Sequence, residues 1–285
     1  MAVGHVTADV LSVDAPAGER QADGTRAAGA ARRPGGGAFY SGLQAARLGL
    51  RTLLITRGSP AELDELLEPY REEFEVRVFP AERTTTLSTS WPGGVRTQQV
   101  LAWAGPITER LQLDTSILHF APVARETPSS WHGRAEFVGL TPQGLIREWD
   151  EHGQISLRPP AADSLPERCD ALVLSAAERE SCAGLLADAA TRGATVAVTD
   201  GARPTTLLLP DGKVMHTPVP VGEHPRDDLG AGDVFAAAFF IALRDGQDPG
   251  QAAAYASAAA AIRIEGDGPS AIGERNAIER RIAAS

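Results

Sequence analysis

Residues Arg226-Asp227-Asp228-Leu229-Gly230-Ala231-Gly232-Asp233 bring two glycines and an acid to the mouth of an apolar run, Val234 to Leu243. Glycines ahead of a helix let the backbone turn tightly and approach a ligand closely. The first N–H groups of that helix have no partner within it and, with the helix dipole, favour an anion such as a phosphate. An aspartate beside such a site is repelled by a phosphate unless it has a chemical role. The simplest role is to accept the proton of a hydroxyl that attacks phosphorus. The alternative is that Asp233 only caps a helix start, where acids are favoured in any case.

Two further stretches have the texture of ligand-binding turns. Gly35-Gly36-Gly37 precedes a run ending Arg47-Leu48-Gly49, and Gly4 to Leu11 reads as a first strand delivering Asp9 at its end. A carboxylate is suited to reading a polyol because it accepts from two hydroxyls at once. The segment Thr141-Pro142-Gln143-Gly144-Leu145-Ile146-Arg147 follows a strand candidate, so Gln143 and Arg147 fall at a sheet edge where open α/β sheets bind ligands.

These motifs need a frame. Apolar strands are expected at 51–56, 74–79, 116–121, 137–140, 169–175 and 194–199, with helical spacing at 60–73, 251–264 and 274–283. Strand alternating with helix predicts a doubly wound, mostly parallel sheet flanked by helices. The runs 84–91 and 95–102 around Pro92-Gly93-Gly94 predict a hairpin, as do 205–209 and 214–217 around Pro210-Asp211-Gly212. Residues 15–33 have no clear period and read as loop.

Composition bounds the partners. Hydrophobic residues are 43% of the 285, ample for a core, and the net charge of −10 argues against nucleic acid or an acidic membrane surface. Two cysteines are too few for a disulfide scaffold, and no leader or apolar run of about 18 residues is visible. A cytoplasmic protein is expected.

The glycine segments together resemble the two signatures of the PfkB (ribokinase-like) carbohydrate kinases, and the resemblance extends in order from Asp9 to residues 266–272. It is closest to a short, inositol-kinase-like branch. It implies a ribokinase-like α/β domain over 1–285 with a small β lid built from segments within about 12–34 and 84–102. It also implies an ATP-dependent kinase of a small polyol, using Mg2+, with a nucleoside kinase or a non-catalytic ligand-binding relative as alternatives. Asp233 would be the general base and Gly230, Ala231 and Gly232 the anion hole. Asp9, Gly35, Gly36, Tyr40, Gln143 and Arg147 would meet the acceptor. Ser175, Glu178, Thr199, Gly201, Asp227 and Ser257 would lie on the nucleotide side, with Glu178 reaching the metal through water. Tyr40, Ser175 and Asp228 depart from the family's usual asparagine, asparagine and threonine. Lids of this family can also clasp a homodimer.

Overall fold

Three residues after its first strand, the chain leaves one sheet for another. The structure, a computed structural model, describes residues 1–11, 32–90, 97–161, 164–220 and 225–284. β1 (Ala2–Val3) lies in the main sheet, whereas β2 (Thr7–Leu11) and β3 (Arg32–Gly35) form part of a smaller one. There follow α1 (Gly37–Arg47), β4 (Leu53–Gly58), α2 (Pro60–Leu67) and β5 (Glu75–Pro80). The small sheet is completed by β6 (Thr86–Ser90) and β7 (Thr97–Ala102), and the main sheet continues with β8 (Gln112–Phe120) and β9 (His132–Leu140). A two-stranded ribbon, β10 (Arg147–Trp149) and β11 (Ile155–Leu157), precedes β12 (Ala171–Ser175), α3 (Ala183–Thr191), β13 (Thr195–Asp200), β14 (Arg203–Leu208) and β15 (Val214–Thr217). Three helices finish the chain: α4 (Ala231–Arg244), α5 (Pro249–Glu265) and α6 (Arg275–Ala283).

The nine-stranded sheet runs β15-β14-β13-β12-β9-β8-β1-β4-β5, with only β14 reversed, so that its pairs with β13 and β15 are antiparallel. Parallel strands covered on both faces read as continuous apolar runs, as in Leu172-Val173-Leu174 and Val196-Ala197-Val198, all buried. Helices α1, α4 and α5 cover one face through Phe39, Leu43, Phe235, Phe239 and the alanines of α5; Leu185 and Ala189 of α3 cover the other. The small side chains at 252, 253, 256 and 259 let α5 lie close against α4. Asp248 starts α5 by accepting from the amides of Gly250 (2.9 Å) and Gln251 (3.0 Å), with Pro249 at the first helical position.

The doubly wound sheet expected from the sequence is present, and so are both late helices. The single strand expected over 4–11 is instead divided at Gly4-His5-Val6, because a buried carboxylate elsewhere captures the His5 amide (below). The small sheet, order β3-β2-β6-β7, therefore includes Thr7–Leu11 as well as the expected hairpin. It is mixed, with β2 and β6 parallel and the other pairs antiparallel. The helix expected over 60–73 stops at Leu67 and tightens to a 3₁₀ turn through Tyr70. Most of the loop at 15–33, and the turn at 92–94, lie outside the described residues. No described helix is long and apolar enough to cross a membrane.

Two buried histidines make the fold acid-sensitive. His119 on β8 meets Phe240 of α4 edge-on with ring centroids 4.8 Å apart, and its Nε2 lies 3.2 Å from Thr141 Oγ1. Burial holds its pKa down at about 3, and His5 is lowered in the same way. The unfolded chain, with histidines near 6.5, then binds protons that the folded chain refuses, so stability is full above about pH 6.5 and falls below it. The expected slope between about pH 6.5 and 5 is up to roughly 1.4 kcal/mol per pH unit for each histidine. Urea unfolding across that range checks this, and His119→Gln should remove one histidine's share of the slope.

Candidate active site

The side of the site that carries Asp9 is held by Glu126. Its carboxylate is buried and accepts from the amides of His5 (2.7 Å), Val123 (2.8 Å) and Ala124 (2.6 Å). This ties the β1–β2 crossing to the loop after β8, and Arg125 within that loop takes a positive φ of 60°, which non-glycine residues rarely adopt. Asp9 then projects from β2, buried, its Oδ1 accepting from Thr7 Oγ1 at 2.7 Å. A Cβ on Gly35 would lie 2.0 Å from Asp9 Oδ2, so only glycine permits that approach. Gly36 caps α1, and a Cβ on Gly37 would stand 3.0 Å from Asp233 Oδ1. The two glycine segments, nearly 200 residues apart in sequence, thus face each other across Asp233.

The loop into α4 is fixed from behind. Asp227 accepts from the amides of Leu229 (3.0 Å) and Gly268 (3.1 Å) and from Arg263 Nη2 (3.0 Å). Burial works to raise its pKa, but the Leu229 amide, Arg263 and the Gly268 amide together hold it below the usual carboxylate range. Gly230 takes the left-handed conformation (φ 75°), and a Cβ there would sit 2.2 Å from the Tyr40 ring. Tyr40 itself is buried against Phe39 and lies under the Arg263 guanidinium at 5.4 Å. Burial pushes its phenol up to about 12, with Arg263 pulling the other way, so it stays a neutral hydroxyl. The Ala231 amide turns back to the Asp228 carbonyl at 3.2 Å, leaving the Gly232 amide in the first turn of α4, where no carbonyl within the helix can meet it.

Beside that first turn is a cavity of about 130 Å³ lined by Thr141, Gln143, Ser175, Glu178, Thr199, Asp228, Gly230, Gly232 and Asp233. Ser175 opens a 3₁₀ turn in a reciprocal cap, and Glu178 Oε2 accepts the Ser175 amide at 2.8 Å. Glu178 Oε1 accepts from Gln143 Nε2 at 2.7 Å. Gln143 Oε1 in turn accepts from Arg147 Nη2 at 2.8 Å, and Arg147 also donates to Gln98 of β7 (2.8 Å) and to the Val123 carbonyl (3.1 Å). No group of three metal-ligating side chains occurs among the described residues. Each Glu178 oxygen nevertheless keeps a lone pair, which suits a water of a hydrated Mg2+ that a polyphosphate carries with it.

The structure therefore gathers Gln143, Ser175, Glu178, Thr199, Gly230, Gly232 and Asp233 around one cavity. Asp9, Gly35 and Gly36 stand on the lid-facing side, while Tyr40, Arg147 and Asp227 support the walls from behind. Gly201 lies out on the β13–β14 turn, and Ser257 is buried within α5 with no hydrogen-bond partner for its hydroxyl. Sequence reasoning missed Glu126, Thr141 and Arg263. For Arg263 a signal was available, since an arginine among buried alanines needs a partner. Cys169 and Cys182 are free and buried, and burial pushes both thiols up to about 12, which removes them as nucleophiles.

A nine-stranded, mostly parallel sheet with a small β sheet over its carboxyl edge, and a Gly-Ala-Gly-Asp helix start below it, defines the ribokinase-like class. Residues 159–275 match the pfkB family of carbohydrate kinases, so the likeness read from the sequence is borne out. The Arabidopsis thaliana ribokinase complexed with ribose and ATP superposes with TM-score 0.76 at 18% identity, covering 100% of this chain and 98% of that one. A pyrophosphate-dependent kinase in the ribokinase family, complexed with a pyrophosphate analog and myo-inositol, gives 0.72 at 19% identity and 98% of both chains. The Methanocaldococcus jannaschii nucleoside kinase gives 0.74 at 18%, covering 99% and 97%. No curated protein sequence is significantly similar.

Glu178 offers a test of the cavity wall that does not depend on turnover. Glu178→Gln places an amide NH2 against either the Ser175 N–H or the Gln143 NH2, where only acceptors are wanted. The expected loss is about 1–3 kcal/mol of unfolding free energy, measured by urea denaturation.

Proposed function

We propose that this chain is a kinase that transfers the terminal phosphoryl group of ATP to a hydroxyl of a small polyol, a cyclitol or sugar. One observation carries the reading: the Asp233 carboxylate lies between the Gly35–Gly37 turn, suited to a hydroxylated acceptor, and a phosphate-sized cavity at the helix start. The acceptor hydroxyl, held by Asp9 and the backbone of Gly35 and Gly36, gives its proton to Asp233 as its oxygen attacks phosphorus. The Gly232 amide and the α4 dipole stabilise the negative charge on the transferred group. Magnesium, when bound, neutralises charge on the donor phosphates, and Glu178 would hold it through water. The small sheet carrying Asp9 would exclude water from the transfer, which suppresses donor hydrolysis.

Pyrophosphate is the second reading for the donor. The cavity is small, and its lining is mostly polar, with Glu178, Asp228, Thr199 and Gln143 beside Val173 and Leu174. A pyrophosphate-dependent relative of the same fold supports it.

Turnover is to be measured with Mg-ATP and with Mg-pyrophosphate against cyclitols, hexoses, pentoses and nucleosides, with Asp233→Asn alongside. The expected result is phosphorylation of a cyclitol or sugar that falls by about two to four orders of magnitude in the variant while ligand binding survives. Preference for a nucleoside would replace the acceptor assignment. Unchanged turnover in Asp233→Asn would overturn the mechanism, and ligand binding without turnover on any acceptor would mark a binding protein.

A further inference from the structure

The largest fully buried side chain in the described protein is a cation. Arg263, in the last turns of α5, has 0% exposure, and its guanidinium touches three oxygens of two separate segments. Nη2 donates to Asp227 Oδ2 (3.0 Å), and Nη1 donates to the Asp227 carbonyl (3.2 Å) and, at longer range, to the Gly266 carbonyl (3.4 Å). The same guanidinium lies over the Tyr40 ring, and that ring abuts Gly230, the left-handed cap of α4. Asp227 also accepts the Gly268 amide, so both segments close around one positive charge.

We infer that Arg263 is a positioning residue for the phosphate site: a built-in cation that sets the backbone of residues 227–232 in the shape that presents the Gly232 amide. This rests on the kinase reading for its purpose but on the hydrogen bonds for its mechanism. Local hydrogen bonds shape the loop only in part: the Leu229 amide reaches Asp227 Oδ1 and the Ala231 amide the Asp228 carbonyl, while no side chain caps α4. The tie across the chain comes from 36 residues away, through charge-assisted bonds from a guanidinium that is itself fully buried. The planar fork matters as much as the charge, because one guanidinium reaches a carboxylate and two carbonyls while its flat face meets an aromatic ring. Tyr40 thereby gains a role different from acceptor contact, as the plate between the cation and Gly230.

The test compares wild type, Arg263→Lys and Arg263→Ala by two readouts. One is hydrogen exchange of the peptide spanning 227–232. The other is calorimetric binding of Mg-pyrophosphate and of Mg-ATP. Losing charged hydrogen bonds of this kind predicts exchange faster by roughly ten- to hundredfold, confined to 227–232 and 266–268, and anion binding weaker by a similar factor. Guanidinium chloride at low, non-denaturing concentration should restore both in Arg263→Ala. Arg263→Lys keeps the charge without the fork, so it should fold and yet show the local change if Ala does not fold. Exchange and anion affinity equal to wild type in Arg263→Lys, and in Arg263→Ala without guanidinium, would overturn the inference. Should wild type bind neither donor, the kinase reading fails, while local exchange still decides the clamp.

Discussion

Buried carboxylates that accept backbone amides hold this structure's ligand-facing edge together. Loops at the end of a parallel sheet carry N–H groups with no strand to pair with, and burying them unpaired is costly. Glu126 takes the amides of His5, Val123 and Ala124; Glu178 takes Ser175; Asp227 takes Leu229 and Gly268. Glu126 and Asp227 join segments distant in sequence, whereas Glu178 closes its own turn and reaches the distant Gln143 side chain. The Glu126 contact, with Thr56 taking the Val6 amide, holds the crossing by which the chain leaves the main sheet at Gly4 and carries Asp9 into the small sheet.

The same economy explains why polar residues near the cavity form chains rather than isolated pairs. Gln98, Arg147, Gln143 and Glu178 are linked donor to acceptor from a strand of the small sheet to the wall of the phosphate-sized cavity. A glutamine in the middle suits this, because its amide accepts from a guanidinium at one end and donates to a carboxylate at the other.

Much of this was legible beforehand. The parallel strands announced themselves as apolar runs, and the glycine turns fell where a backbone must come close to something. Of the residues around the cavity, Gln143 stood at a strand end, while Ser175, Glu178 and Thr199 came from the family resemblance. What escaped was long-range. Nothing local marks the break between Val3 and Thr7, since it depends on Glu126 more than a hundred positions on. Tyr40 read as a substituted ligand contact because its surroundings, Gly230 and Arg263, arrive from the far end of the chain. Ser175 and Glu178 came only from the resemblance, and nothing local showed that their reciprocal cap itself forms the wall.

β1 is only two residues long and is enclosed by β4 on one side and β8 on the other, with Ala2 paired to both Leu54 and His119. β1 and β8 therefore form a seam inside the sheet between the first strand and one made much later. Closing so long a loop costs entropy before any contact is regained, which makes such pairings slow. Until that seam closes, the His5 amide cannot reach Glu126 and Asp9 has no fixed place. In kinetic terms, the wall that carries Asp9 depends on a first strand waiting for its partner.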